Sequence, residues 1–443
     1  MKKPRTPPKV SGIKNASKFQ KAISAARDLE NKKKYRHWDT LRHLSPPEGL
    51  TLEEWWTGIK IHRMGGRKEI CLKDVKGRFF NYTMTDFVTE QLHKIDLGSG
   101  GSIGIPEPIM NPQTRNQYLA RSLMQEAITS SQLEGAVTVR AAAKAMLRTG
   151  RPPRDKNEQM VLNNYQMMQR IQKWKDQPLT ESLIFEMHRQ VTEKTLEKED
   201  AAGRLRKKEE KVVIEDVSTH EILHAPPPAS QLRKRLEAMC DFANGKTPEY
   251  FVHPVVRAII LHFWLAYDHP FVDGNGRTAR ALFYWSMLRQ GYWLFEFISI
   301  SEVILRAPSK YAVSFLQTET DDNDLTYFII YQSKVIERSL AALNQYITHK
   351  TEQLAKVTHL FRSGELFNHR QSALLAYALR FPRQPFTIDT HKNYHHIAYE
   401  TARHDLRQLE KRGYLTERRI GNSLIFISPD NLAAILTNEE MKR

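Results

Sequence analysis

The chain has 443 residues, enough for two or three domains, and 40% of them are hydrophobic, so ordinary packed cores are expected. Its net charge of +17 is uneven: residues 1–36 hold twelve Lys/Arg against two Asp/Glu and supply +10 of the total. Two cysteines, Cys71 and Cys240, exclude a disulfide framework or a cysteine metal cluster and suit a reducing compartment. No apolar stretch follows Lys2 and Lys3, so no secretory signal is expected. The longest apolar stretch, around Ala258–Tyr267, is broken by His262 and is too short to span a bilayer. A soluble, cytoplasmic protein with no membrane partner is the expectation.

In chain order, residues 1–36 read as a basic, flexible tail, poor in large apolar side chains. Phosphates of a nucleic acid would attract such an arm without sequence preference. Residues 37–106 form a small N-terminal region. Within it, Glu53–Arg63 reads as a short helix with Thr51 as N-cap. Residues 69–83 alternate as strands around a turn at Lys76-Gly77, and Gly98–Ser102 reads as a linker. From 107 to 348 the pattern is mainly helical. Tyr118–Ile128, Asp155–Lys173 and Leu179–Thr195 carry apolar residues at three- and four-residue spacing. Strand-like residues 211–225 interrupt this run, with Val212, Val213 and Ile214 at their centre. The nearly continuous apolar segment Val255–His269, opened by His253-Pro254, predicts a central buried helix, and Leu282–Leu288 belongs to the helix after it. Residues 360–443 form a separate unit. A helix over Gln371–Leu379, one or two more over His396–Arg412 stopped by Gly413, and a strand pair around Gly421-Asn422 outline a winged helix.

The chemistry concentrates in His269-Pro270-Phe271-Val272-Asp273-Gly274-Asn275-Gly276-Arg277-Thr278-Ala279-Arg280. An imidazole can remove a proton near neutral pH. A lone carboxylate, Asp273, can hold Mg2+ whose shell is completed by phosphate oxygens. Glycines before a helix N-terminus let backbone N–H groups approach an anion. Arg277 and Arg280, three apart, share a helix face and can reach successive phosphates. Upstream, Ser130 and Glu134 are i, i+4 on one turn that ends at Gly135.

The twelve-residue run resembles the HPFx(D/E)GNGRxxR signature of Fic-domain proteins, and Ser130–Gly135 resembles the (S/T)xxxE(G/N) inhibitory helix of that family. The resemblance covers 107–348 and extends less closely over 37–443. It implies a mainly α fold class: a Fic helical core with a β-hairpin flap, plus the small N-terminal region and a C-terminal winged helix-turn-helix domain. It implies transfer of AMP from ATP to a Ser, Thr or Tyr hydroxyl of a target protein, or of the chain itself. His269 is then the catalytic base and Asp273 the Mg2+ ligand. Gly274, Asn275 and Gly276 form the anion hole, with Asn275 also contacting the α-phosphate, while Arg277 and Arg280 meet the β- and γ-phosphates. Gly276, where a phosphate-transferring branch has lysine, favours nucleotidyl transfer. Glu134 would pair with Arg280 and block productive ATP binding, with Ser130 on the same face. Val212, Val213 and Ile214 would form a flap whose edge docks the target. Tyr311, followed by Ala312 rather than a second tyrosine, and Asp324-Leu325-Thr326 would close the nucleotide pocket. Gly203–Arg206 also matches the family.

The stretch Thr401–Leu406 resembles the second helix of many winged helix-turn-helix domains. Arg403, His404 and Arg407 could face a DNA groove, with Arg418-Arg419 in the wing. Residues 360–443 hold thirteen Lys/Arg and nine Asp/Glu, a modest excess for a DNA reader. Winged helices also bind proteins and form homo-oligomers. The main reading is an autoinhibited protein adenylyltransferase. The alternatives are a nucleic-acid-binding regulator with a nucleotide-sensing core and an enzyme that removes AMP.

Overall fold

The structure is a computed structural model, and it describes residues 3–10, 12–31, 34–99, 112–216, 219–362, 367–381, 383–420 and 423–440. It separates into two compact units. Met1–Gly104 and Leu119–Leu340 make one, and Ile105–Tyr118 with Ala341–Arg443 the other.

The first unit opens with α1 (Ala16–Asn31), α2 (Trp38–Leu41) and α3 (Leu52–Met64). Thr51 caps α3 as the sequence suggests, and reciprocal bonds link it to Glu54: Glu54 N–H to Thr51 Oγ1 at 3.2 Å and Thr51 N–H to Glu54 Oε2 at 2.8 Å. The expectation of a flexible tail over 1–36 does not hold for 16–31. Small residues recur along α1, and Ala22 and Ala26 are buried on the Trp55, Trp56 and Ile59 face of α3. At Gly58 the two helices approach so closely that an added Cβ would lie 2.5 Å from the Ala22 carbonyl oxygen. Composition misled because alanine and glycine build this contact by proximity rather than by apolar bulk.

Strands β1 (Arg67–Lys73) and β2 (Phe79–Thr83) form an antiparallel hairpin, turned at Gly77 with φ +80°. Helix α4 (Asp86–Ser99) takes in the first two residues of the expected linker, whose remainder lies outside the described residues. Met1–Gly104 and Leu119–Leu340 form one compact unit, so most of the N-terminal region read at 37–106 belongs to the same body as the helical core. Buried Lys60 and Arg63 of α3 anchor it. The Lys60 ammonium donates to Asp321 at 2.6 Å, and Arg63 to the Tyr327 hydroxyl at 2.9 Å.

The helical core follows: α5 (Pro112–Leu133), α6 (Arg140–Thr149), α7 (Lys156–Trp174) and α8 (Glu181–Thr192). Asp155 and Thr180 cap α7 and α8 through side-chain oxygens. A short hairpin, β3 (Ile214–Glu215) with β4 (Ile222–His224), precedes α9 (Leu232–Ala243). At the centre lie α10 (Pro254–Asp268) and α11 (Asn275–Arg289), antiparallel partners joined by the motif loop. Val255–Leu265 of α10 is buried on every face, as its nearly continuous apolar run requires, and α7 and α8 cover α11. Helices α12 (Ile300–Leu305), α13 (Pro308–Thr320) and α14 (Thr326–Arg362) complete the series.

The second unit holds α15 (His369–Arg380), β5 (Pro385–Phe386), α16 (Ile388–His395), α17 (Tyr399–Lys411), β6 (Thr416–Ile420), β7 (Ser423–Ile427) and α18 (Leu432–Glu440). Its sheet order is β5-β7-β6, all antiparallel, beside the three helices α15, α16 and α17. Leu375, Ala402, Leu406, Leu409, Tyr414 and Phe426 form its core. Buried Asp405 gathers three helices, accepting from Arg370 at 2.7 Å, Asn368 at 2.8 Å and His391 at 3.3 Å. Helix α16 has little apolar periodicity, and a Thr387–Thr390 capping box marks its start.

Candidate active site

His269 ends α10 in the left-handed conformation, φ 44° and ψ 56°, and its N–H closes the helix on Leu265 O at 3.0 Å. This turn swings the imidazole off the helix. Nδ1 faces Ala266 O at 3.2 Å, and a carbonyl can only accept, so the proton sits on Nδ1 and Nε2 carries the free lone pair. Burial lowers the pKa of His269 to about 4, so the ring is neutral and able to act as a base at pH 7.

The loop after it is held by its own side chains. Asn275 Oδ1 accepts from Phe271 N–H at 3.0 Å, and its Nδ2 donates to Phe271 O at 2.9 Å. The side chain expected to reach an α-phosphate is therefore engaged in shaping the loop. What Asn275, Gly276 and Arg277 turn outward are the first-turn N–H groups of α11, which have no partner within the helix. Gly274 has φ +81°, and a Cβ there would meet Thr192 Cγ2 at 2.6 Å, so glycine is required twice over.

Sequence reasoning missed two residues that brace this loop. His188 of α8 stacks on Phe271, with ring centroids 3.8 Å apart and planes 8° apart. Its Nδ1 accepts from Gly203 N–H at 2.9 Å, and its Nε2–H donates to Asp273 O at 2.8 Å. One neutral tautomer satisfies both bonds. Arg206 holds the other end: its N–H donates to Pro270 O and its Nε to His269 O, each at 2.9 Å. The only sequence signal for either was a histidine or arginine in an otherwise apolar or family-like setting.

Asp273 is half exposed, 3.6 Å from Arg277, with Oδ1 accepting from Gly274 N–H at 2.5 Å. Among the described residues no group of three or more His, Cys, Asp or Glu side chains is preassembled for a metal. A single carboxylate beside anion-binding N–H groups fits a Mg2+ that arrives with its phosphates and keeps its waters.

The two arginines differ. Arg277 is buried, with NH1 donating to Val191 O at 2.6 Å, while its Nε and NH2 have no hydrogen-bond partner. Arg280 is fully engaged. Its Nε donates to Ser130 Oγ at 2.8 Å, and NH2 to Ser130 O and Glu134 Oε1, each at 2.9 Å. Glu134 follows α5 just before Gly135 (φ +86°), and a Cβ placed on Gly276 would run into its carboxylate. The carboxylate thus lies over the anion loop. The α5 end is fixed by Asn164 bonding Ser131 at 2.8 Å and by Glu126 accepting from Ser299 and Ser301.

Tyr311 joins this group: its hydroxyl is 2.8 Å from His262 Nε2, and Arg280 lies within its electrostatic reach. Asp324-Leu325-Thr326, expected to close the nucleotide pocket, instead hold the N-terminal segment. Asp324 accepts from the Tyr35 hydroxyl at 2.5 Å, Leu325 N–H donates to Asn81 O at 2.8 Å, and Thr326 Oγ1 accepts from Thr83 N–H at 2.9 Å. The expected flap is a shorter hairpin than 211–225. Ile214 pairs with His224 and Glu215 with Ile222, while Val212 and Val213 precede the strand, Val213 being exposed. His224 anchors it, Nε2 to Tyr267 O at 2.8 Å and Nδ1 to Glu319 at 2.7 Å. In the second unit, Arg403 and His404 are exposed on α17. Arg407, expected to face a groove, is ion-paired with Glu417 on β6, which partly neutralises it.

No helix among the described residues is long and apolar enough to cross a membrane. Residues 178–287 match a family model described as Fic/DOC family. Over 262 residues the chain is 28% identical to the protein adenylyltransferase Fic of Nematostella vectensis, covering 58% of this chain and 55% of that protein. It is 29% identical over 117 residues to the protein of the same name from Aedes aegypti, covering 26% of this chain and 22% of that one. The chain thus spans about half the length of the first relative and less of the second. A solved structure of a Fic family protein from Desulfovibrio desulfuricans G20 has a TM-score of 0.51 at 16% identity, covering 79% of this chain and 98% of that one, a likeness of fold. The motif loop between two buried helices, the family match over it and the shared fold agree: this chain is a Fic/DOC family domain protein, distantly related to the protein adenylyltransferases of that name.

Proposed function

We propose that this chain is a protein adenylyltransferase that moves AMP from ATP to a hydroxyl side chain and is held in check by Glu134. The observation that carries the reading is the pair of buried arginines in the first two turns of α11. Arg277 keeps two nitrogens without a hydrogen-bond partner, NH2 lying 3.6 Å from the Asp273 carboxylate, while the neighbouring guanidinium of Arg280 already holds a carboxylate. Buried donors without acceptors are costly, and a phosphate oxygen would satisfy them. The Glu134 carboxylate sits where an anion would be received, so it competes with that phosphate.

Mg2+ carried by Asp273 would neutralise phosphate charge. The chain's own residues do the rest. His269 Nε2 takes the proton of the attacking hydroxyl as its oxygen bonds the α-phosphorus. The bond from that phosphorus to the β-bridging oxygen breaks, and pyrophosphate leaves. The N–H groups of the loop and the Arg277 guanidinium hold the charge that develops. The open edge of the β3–β4 hairpin offers backbone groups to an extended target segment.

The test is intact-mass analysis of the full chain, incubated with Mg2+ and ATP, for wild type and Glu134→Gly. The expected result is the added mass of one AMP or more in the variant, and little in wild type. Equal, absent labelling in both, with ATP bound in both, would overturn the reading. Faster loss of AMP from a modified target in wild type than in Glu134→Gly would assign the chain the hydrolytic direction instead.

A further inference from the structure

A second cavity lies on the other side of α13 from the motif loop. Its volume is about 390 Å3, in the range of sites for small molecules. Helix α13 turns Tyr311 and Phe315 toward α10, where they meet His262 and Phe263. Its opposite face, with Lys310, lines the cavity, and the facing wall is α14. There, positions 331, 334, 335 and 338 share one helix face, so Tyr331, Lys334, Val335 and Arg338 point the same way. Tyr35 closes one side.

The composition of this lining is one-sided. Lys310, Lys334 and Arg338 stand at its rim, and no Asp or Glu lines it. Among the described residues none of these three cations forms an ion pair, although Lys334 also lies 4.9 Å from the centre of the Phe87 ring. The rest of the lining mixes tyrosine rings and aliphatic side chains with Ser314 and Gln317.

We propose that this cavity binds a small aromatic phosphate, with the ring against Tyr331 and the anion held by Lys334, Arg338 and Lys310. Tyrosine faces stack on planar rings, and guanidinium and ammonium groups at the mouth recognise phosphate. The site is distinct from the motif loop, yet it is mechanically next to it. Tyr331 touches the ring of Tyr311, with centroids 6.1 Å apart, and Ser314 of the cavity wall donates to Tyr311 O at 2.6 Å. A ligand here would press on the helix that carries Tyr311 to Arg280.

The experiment is calorimetric titration of the full chain with phenyl phosphate, AMP and inorganic phosphate. Phenyl phosphate is expected to bind at one site. The double variant Lys334→Gln/Arg338→Gln should bind it at least about tenfold more weakly, as the loss of even one charge-assisted bond predicts. Both positions are exposed, so circular dichroism of the variant should match wild type. Inorganic phosphate should bind at least about tenfold more weakly than phenyl phosphate, because it has no ring to stack. Arg280→Ala should leave the phenyl phosphate titration unchanged. Tighter binding of AMP than of phenyl phosphate in Arg280→Ala would identify a nucleotide as the natural source of the aromatic phosphate, and the reverse order would identify a simpler aryl phosphate. No binding of phenyl phosphate would overturn the proposal. So would loss of binding in Arg280→Ala with retention in the double variant, since the ligand would then be occupying the motif loop.

Discussion

At the scale of single residues, the motif divides its labour by what each side chain already touches. His269 has one nitrogen tied to Ala266 O and the other free, and burial keeps it neutral. Loss of that base should therefore abolish transfer while sparing ATP binding, which rests on the loop N–H groups, Asp273 and the arginines. His269→Ala is expected to cut transfer by about 10²–10⁴-fold with an ATP dissociation constant near that of the parent, both read in the Glu134→Gly background. More than about a tenth of the parental transfer rate would remove His269 from the base role. Arg280→Ala breaks the same contact as Glu134→Gly, but it also removes the donor that a phosphate would need. It is expected to leave the chain inactive in the same mass assay. Full activation by Arg280→Ala would mean that the arginine serves only to hold Glu134.

At the scale of elements, two histidines pull the pH dependence of stability in opposite directions. His262, wholly buried within α10, has its pKa lowered to about 3 by burial, with Arg280 adding to the effect. Its contribution is full above its ordinary value of 6.5 and is lost as the pH falls from there toward the folded value, by about 1 kcal/mol per pH unit. His224, at the root of the flap, is raised despite its burial, because Glu319 and Tyr267 O both take its protons. Its contribution is present below 6.5 and is lost as the pH rises through the raised value. Thermal melts against pH should show His224→Gln flattening the alkaline limb and leaving the acid limb in place; an unchanged alkaline limb would refute the flap anchor. The α1–α3 contact gives a second test at this scale. Gly58→Ala places a methyl group against the Ala22 backbone and should destabilise the chain by about 1–3 kcal/mol, read as a lower urea midpoint. A neutral result would show that α1 is not packed as described.

At the scale of the whole molecule, the chain carries a Fic/DOC family domain and a second compact unit of helices and a three-stranded sheet. The second unit's exposed Arg403 on α17 and Arg418 and Arg419 on β6 are the groups through which duplex DNA would be bound. The expected outcome is weak binding at low salt that falls steeply as salt rises, with a shallower slope in Arg403→Gln/Arg418→Gln/Arg419→Gln. The Glu417 carboxylate already paired with Arg407 works against tight binding. A slope unaltered by the triple change would direct attention to a protein partner for this unit.

Much of this was legible in the residues themselves. The buried helix over Val255–Asp268, the turn of the motif loop at Gly274 and the cap at Thr51 follow from local rules, because nearly continuous apolar runs, capping side chains and turn glycines act on their near neighbours. The i, i+4 spacing of Ser130 and Glu134 likewise settled that they share a face. The sequence by itself could not determine which groups each side chain would be left free to meet. Asn275 is bound to Phe271, Asp324 to Tyr35 and Arg407 to Glu417, engagements that neither residue type nor family resemblance foretold. His188 and Arg206 entered the site from segments 63 to 85 residues away. The packing of α1 through alanines against Gly58 left no apolar signal. Local order is written in short-range spacing, whereas the availability of a polar atom is a property of everything folded against it, and only the tertiary structure decides that.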